Sequence, residues 1–273
     1  YNGFSGVWVP MSGETTVSGV GFTEMISGFT SATAPFHRWT SLYQYIRDAT
    51  IFIDRVIPKG NINDQSQLTV EDVNRMKAEA KFLIAYSYFS LFELYGPVPL
   101  ITEIADPEDK GLDYSRATVN ETVEYIDKLL VEVIESGNLP ETIIQNHTST
   151  GNDRYNLNEI VRPTVTAAKA LRAKLWVYAA SPLFNGGYSE ALDVVNTDGT
   201  SLFAPYDANK WVTAKERLED LFANTDQNGH SLFTVRNGDG SINPDESLYQ
   251  IFQSYNDEIL WATGKNLWNG STM

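Results

Sequence analysis

The sequence has no cysteine and few basic residues, and each of these shortages excludes certain kinds of site or partner. Without cysteine it can form neither disulfides nor thiolate metal sites, and it cannot use a cysteine nucleophile. It carries 20 Lys and Arg against 35 Asp and Glu, a formal net charge of −15. This balance does not allow a basic face for nucleic acid, so we expect no nucleic-acid partner.

Long hydrophobic runs are also lacking. No stretch approaches the ~18 uninterrupted apolar residues of a membrane-spanning helix. The N-terminus, YNGFSGVWVP, has neither the positive region nor the apolar core of a signal peptide. Residues 1–36 contain no lysine or arginine and are rich in Gly and Ser, so we interpret 1–38 as an irregular, loop-rich segment.

The motifs of common catalytic sites are missing as well. The sequence has no GxSxG and no phosphate-binding glycine loop, and His37, His147 and His230 lie in separate loops without metal-ligand spacing. The prominent carboxylates lie at helix N-termini or in exposed loops, where capping or solvation accounts for them. We therefore expect no catalytic residue, metal or cofactor. A glycosidase carboxylate pair and a calcium ion both stay open as alternatives.

The most strongly patterned stretch runs from Glu71 to Pro99. Its apolar residues recur every three or four positions, and its second half is apolar almost all round, which predicts a central helix of about 25 residues. Thr69 can cap its start, and Gly96 and Pro97 can end it. Further helices are predicted over 39–57, 118–136, 163–180 and from Lys210 to about 222, giving a helical scaffold over 39–223 and an irregular segment over 224–273.

A repeat joins two of these helices. The pattern AKxLxA occurs at Ala80–Ala85 and again at Ala168–Ala173, about 88 residues later. Small residues at this spacing let helices approach closely, as in tetratricopeptide repeats, although those repeat every ~34 residues. We therefore predict helix pairs with large insertions in their connections. Trp176 and Trp211 lie on the apolar stripes of such helices and are expected in the core.

Two stretches resemble a known family. The string AEAKFLIAYSYFSLFELYGPVPLIT at 78–102 is similar to the first signature of the SusD/RagB family, the glycan-binding surface lipoproteins of Bacteroidetes, and RPTVTAAKALRAKLWVYAASPLFNG at 162–186 is similar to the second. The resemblance implies a mainly α fold, a tetratricopeptide-like scaffold of helical pairs with irregular loop-rich insertions. Family members are generally longer and carry a lipobox cysteine. We therefore expect 1–273 to be a single, incomplete SusD-like domain in which 261–273 has its partners elsewhere.

The resemblance also implies a function. It predicts a non-catalytic protein of the outer membrane, exposed at the cell surface, that binds oligo- or polysaccharide and delivers it to a SusC-like TonB-dependent transporter. Membrane association would depend on a lipid anchor not present in this chain. The alternative is a protein-interaction scaffold that docks the transporter without glycan affinity of its own.

Sugar rings stack on aromatic side chains, so exposed aromatics outside the helical stripes are the candidates for glycan contact. They are Trp8, Trp39, Tyr155, Tyr188, Tyr206 and Trp268. Among these we select Trp8 and Trp39, with Arg38 as the hydrogen-bonding partner, as the predicted ligand-binding residues. Each has a structural alternative, because Trp39 can staple its helix to a neighbour and Arg38 can pair with an acidic residue.

Overall fold

The computed structural model describes residues 38–60, 67–104 and 114–262, and within these ranges the secondary structure is helical. The helices are α1 (Trp39–Arg55), α2 (Val70–Tyr95), α3 (Val119–Glu135), α4 (Val165–Ala180), α5 (Asn209–Gln227) and α6 (Pro244–Gln250), with short 3₁₀ helices at Gly151–Arg154 and Ser189–Asp193. Strand pairing in the same ranges is limited to isolated bridges. The predicted mainly α fold is confirmed.

None of the described helices is both long enough and apolar enough to cross a membrane. Residues Leu42–Thr263 form one compact unit, to which the contacts between helices described below belong.

Helix α2 is the central helix, as its sequence predicts. Thr69 and Asp72 form a capping box, in which each side chain accepts a hydrogen bond from the other residue's backbone N–H. Gly96 follows the last turn with φ +67° and donates its N–H to Phe92 O. The side chains in between are buried on several sides: Phe82, Tyr88, Phe89, Leu91 and Phe92 are 2% exposed or less. A helix covered in this way organises its neighbours.

Consecutive helices pack in order, α2 on α3, α3 on α4, and α4 on α5. Ion pairs link each contact. Basic residues of α4 reach three neighbours, with Lys169 on Asp220 of α5, Arg172 on Asp127 of α3, and Lys174 on Glu93 of α2. The side chains of the second signature helix thus tie the scaffold together.

The AKxLxA repeat extends further than the motif. Lys81 and Lys169 hold the same place in its two copies, and each donates over 2.6 Å to a carboxylate 51 residues later, Glu132 and Asp220 respectively. The repeated unit therefore contains the signature helix and the helix that follows it, α2 with α3 and α4 with α5. Helix α1 contacts α2 through Tyr43, whose ring packs edge-on against that of Tyr88 at 6.3 Å.

The prediction that Trp211 lies in the core is wrong. Helix α5 packs on α4 and buries Ala214, but Trp211 is 46% exposed and Phe222 is 61% exposed. The physical reason is that α4 covers one face of α5, while no other helix among the described residues packs closely on it. Trp176 is partly buried, and its ring N–H donates to Asp127 over 2.6 Å.

Of the predicted irregular segment 224–273, residues 263–273 lie outside the described residues, and the described part, 224–262, contains more order than expected. Helix α5 continues into it as far as Gln227, and α6 follows a side-chain cap from Asn243. Trp261 was expected to have its partners elsewhere, but its ring packs edge-on against Phe82 at 5.0 Å and Tyr86 at 5.3 Å. That prediction is wrong for Trp261, because large aromatic side chains of α2 are available to cover it.

Candidate functional site

The predicted glycan-binding residues fall in two categories. Trp8, like the further candidate Trp268, lies outside the described residues. Arg38 and Trp39 are described, and both are partly buried at the start of α1. The carbonyl oxygen of Arg38 accepts a hydrogen bond from Ser41 Oγ at 3.1 Å, as at a helix start. Arg38 and Trp39 remain predictions.

Tyr155 is a core residue and not an exposed aromatic platform. It is 6% exposed, and its hydroxyl donates to Asp257 Oδ1 over 2.7 Å. Burial, together with the hydrogen bond and charge of Asp257, raises the pKa of Tyr155 to about 12. Its ring packs edge-on against Tyr255 at 4.9 Å. The sequence gives no signal for this burial because Tyr155 lies in a polar loop without a periodic pattern.

Tyr188 and Tyr206, by contrast, are exposed to 50% and 63%. They belong to two adjoining segments, one that leaves α4 and one that leads into α5. Gly186 lies directly against the second segment, since a Cβ atom built on it would be 2.3 Å from the backbone nitrogen of Tyr206. Its φ of +70° is also one that glycine adopts readily. We call Tyr188 and Tyr206 the tyrosine surface.

Asn185 fixes the backbone beneath the tyrosine surface. Its side chain is fully buried, donates to Asp207 O over 2.9 Å and accepts from Asp207 N at 2.9 Å. Because a buried amide holds both backbone groups of Asp207, the neighbouring Tyr206 has a defined position. The sequence marks Asn185–Gly186 only as the end of a signature helix, and this positioning role is visible only in the structure.

A second cluster of polar side chains surrounds Asp257. Arg154 Nε donates to its carboxylate over 2.6 Å, and His230 Nδ1 lies 2.9 Å from its carbonyl oxygen. Since a carbonyl only accepts, Nδ1 carries the proton, and His230 Nε2 accepts from Thr142 Oγ1 at 2.8 Å. Burial is the main cause that lowers the pKa of His230 and favours the neutral ring.

Every polar atom of the His230 ring is therefore engaged within the protein. The cluster ties the segment at 229–257 to the loop at 142–155, and it offers no group positioned to act on a ligand. Across the three described ranges, no three His, Asp or Glu side chains are grouped so that they could hold a metal ion.

Comparison with known proteins identifies the family. The sequence model of a family described as "Starch-binding associating with outer membrane" matches residues 22–176, more than half of the chain. The chain belongs to the SusD-like family. The match includes α1, α2, α3 and most of α4, and it contains the first signature stretch completely. The description of the family names carbohydrate binding and association with the outer membrane, and it names no catalytic activity.

Solved SusD-like structures are similar to this chain. BT4246 is 26% identical with a TM-score of 0.58, over 72% of this chain and 31% of that one. A SusD superfamily protein from Bacteroides thetaiotaomicron VPI-5482 is 19% identical with a TM-score of 0.50, over 82% and 37%. One from Parabacteroides distasonis ATCC 8503 is 23% identical with a TM-score of 0.50, over 78% and 36%.

The last two similarities concern the fold alone. The chain spans about a third of the length of the solved structures it matches. No curated protein matches it.

Proposed function

We propose that this chain is a non-catalytic, surface-exposed glycan-binding component of a polysaccharide-uptake system. The observation that carries the proposal is the match of residues 22–176 to a family described as starch-binding and outer-membrane associated. The arrangement of side chains supports it. The charged residues of α4 are engaged in pairs with neighbouring helices, whereas exposed aromatic rings lie in the connection between α4 and α5.

We infer that loop residues contact the glycan and that α2–α5 hold those loops in place. Trp8, Arg38 and Trp39 remain the residues proposed from the sequence. The tyrosine surface adds Tyr188 and Tyr206, whose phenol rings can stack on the C–H face of a sugar while their hydroxyls bond to sugar hydroxyls. The rigid backbone beneath Tyr206 lowers the entropy cost of binding.

Delivery of the glycan to a SusC-like TonB-dependent transporter and attachment through a lipid anchor complete the proposal. Both are proposed from the membership of the family.

The alternative, a scaffold that docks the transporter without glycan affinity, is favoured by one observation. Helix α5 exposes Trp211, Val212 and Phe222 on its surface, and exposed apolar residues of this size are common at protein interfaces.

Native affinity electrophoresis separates the two functions. The chain would be run through gels that contain plant, host or microbial polysaccharides, with reducing sugar assayed in the same samples. Glycan binding predicts retardation by at least one polysaccharide without sugar release. Migration unchanged in every gel, combined with co-purification of an outer-membrane transporter, would support the scaffold function instead.

A further inference from the structure

An open cleft of about 500 Å³ with charged residues in its lining lies beside the first half of α3. One wall is formed by the extended segments around Leu100 and Ser115, and the other by the side chains of Glu121, Tyr125 and Lys128. The two segments are joined by a hydrogen bond from Ala117 N to Val98 O at 3.1 Å. This volume is within the range for ligand sites in proteins, ~300–1,000 Å³. The cleft contains none of the residues discussed above as glycan contacts.

Arg116 is one of the residues that line this cleft. Its backbone is held in place, because its carbonyl accepts from Asn196 Nδ2 at 2.8 Å and the next residue bonds to Val98. Its side chain is exposed and makes no ion pair or hydrogen bond with any residue that the structure describes. Most other arginines of the compact unit are paired, for example Arg154, Arg162 and Arg172. An exposed, unpaired arginine in a cleft is a typical donor to an anionic ligand.

Tyr125 gives the cleft a fixed aromatic wall. Its ring packs edge-on against Tyr88, with 5.4 Å between the centroids and an interplanar angle of 90°. The hydroxyl of Tyr88 is itself held by Ile101, donating to its carbonyl over 3.1 Å and accepting from its N–H at 2.8 Å. The Tyr125 ring is therefore positioned by a fully buried partner. A ring supported in this way can pack against the C–H face of a sugar.

The cleft contains two carboxylates, Glu121 and Glu124, besides its two cations. Glu121 is engaged with the backbone N–H and hydroxyl of Thr118, which lower the pKa of its carboxyl. Burial lowers the pKa of Lys210, and the negative charges of Asp207 and Glu124 oppose that shift, so Glu124 already compensates a buried cation.

Within the described ranges, Lys128 has only a long contact with a carboxylate. It lies 4.0 Å from Glu132, which makes a shorter bond of 2.6 Å to Lys81. Among the described residues, Arg116 thus has no ion pair and Lys128 has only this 4.0 Å contact, so both cations can bind an anionic group.

We propose that this cleft binds a carboxylate-bearing sugar, that is, a uronic acid residue of the glycan. Arg116 and Lys128 bind the carboxylate, Glu124 accepts hydrogen bonds from sugar hydroxyls, and Tyr125 packs against the ring. The inference rests on the proposed glycan-binding function and names a substrate class for it.

The test is a calorimetric titration of the 273-residue chain with galacturonic acid oligosaccharides of two to four sugars. Their fully methyl-esterified counterparts serve as the neutral control. Short oligosaccharides are used because they carry few negative charges, which limits their repulsion by the negatively charged protein. We expect Arg116→Ala to weaken binding of the acids at least about tenfold, and Lys128→Ala severalfold, with little effect on the esters. Lys215→Ala, which removes an exposed charge on α5, is the matched control and should change nothing.

Two results would overturn the inference while leaving the proposed function intact. One is binding of a neutral glycan without binding of the acids, and the other is binding of the acids at equal affinity by the wild type and Arg116→Ala. Acids and esters bound equally well would also contradict it, since the carboxylate would then contribute nothing. If no polysaccharide of any class binds in affinity electrophoresis, the proposed function itself fails.

Discussion

Arg172 on α4 and Asp127 on α3 face each other through two hydrogen bonds, from Nε to Oδ1 over 2.6 Å and from the second guanidinium nitrogen to Oδ2 over 2.9 Å. Both side chains are less than a fifth exposed, and Trp176 donates a third bond to the same carboxylate. Such a paired, partly desolvated contact joins the helices with a defined geometry. The charge of either residue alone would be poorly solvated there.

We therefore predict that Asp127→Ala lowers the free energy of unfolding by about 2 kcal/mol, because Arg172 and the Trp176 N–H lose their acceptor. Urea denaturation followed by circular dichroism measures this. The control is Glu219→Ala, which breaks the exposed Lys215–Glu219 pair and should cost about 0.5 kcal/mol or less. Equal losses in the two variants would show that the partly buried pair has no special role.

Gly186 offers a second test of the scaffold. We expect Gly186→Ala to destabilise the protein by clearly more than Gly199→Ala. Both glycines have positive φ, +70° and +87°, so both substitutions carry a backbone strain of ~1–2 kcal/mol. Only at Gly186 would the new Cβ meet another segment, at 2.3 Å from Tyr206 N, whereas Gly199 has open space. Thermal denaturation of both variants compares them, and an equal loss would argue against the close contact.

The buried His230 predicts a pH dependence. Its pKa is lowered in the folded state, so below the ordinary His pKa of ~6.5 the unfolded chain binds more protons than the folded one. Stability is therefore highest above that pH and falls as the pH is lowered towards the folded-state pKa. His230→Gln should flatten the profile between pH 7.5 and 5.5 in urea denaturation. The same slope in both proteins would assign it to other groups.

The tyrosine surface predicts a loss of binding without a loss of structure. Replacing Tyr188 and Tyr206 together with Ala should weaken affinity for a bound polysaccharide about tenfold or more, because two stacking rings are removed. The far-ultraviolet circular dichroism should not change. Trp211→Ala removes an equally exposed aromatic from α5 and is the control. If Trp211→Ala weakens binding and the tyrosine variant does not, the glycan contacts the helical face.

Trp8 and Trp39 test the residues chosen from the sequence. We expect Trp8→Ala and Trp39→Ala each to reduce retardation in affinity gels while helix content persists. Trp39→Phe should retain part of the affinity if the ring stacks on sugar, since a smaller aromatic face remains. Unchanged retardation in both alanine variants would exclude these positions as glycan contacts.

How much of this could be predicted from the sequence depends on how local each signal is. The start of α2 at Thr69 and that of α3 at Thr118 are predicted correctly, because each depends on a capping side chain within four residues. The signature stretches likewise identify the family, because their order and spacing are local properties. Contacts between residues far apart in the sequence cannot be predicted from such local signals. Trp211 and Ala214 lie on one predicted apolar stripe, but only contact with α4 decides that Ala214 is buried and Trp211 exposed.

The candidate site was less predictable for the same reason. Tyr155 and Tyr188 are both loop tyrosines, and no local pattern distinguishes them. Their difference arises because Tyr155 meets Asp257, which is 102 residues away in sequence, whereas the structure exposes half of Tyr188. The cleft at Arg116 also needed the structure, because its walls come from segments that are separate in the sequence, and no local pattern shows that Arg116 makes no ion pair with the described residues.

The central claim, glycan binding without catalysis, is tested most directly by calorimetry on the polysaccharide that retards the chain, with the sugar recovered afterwards and its length measured. The account predicts a saturable binding heat and oligosaccharide recovered at its original length. Shortened sugar whose formation stops on replacement of a single carboxylate would instead show a hydrolase, and this result would contradict the account.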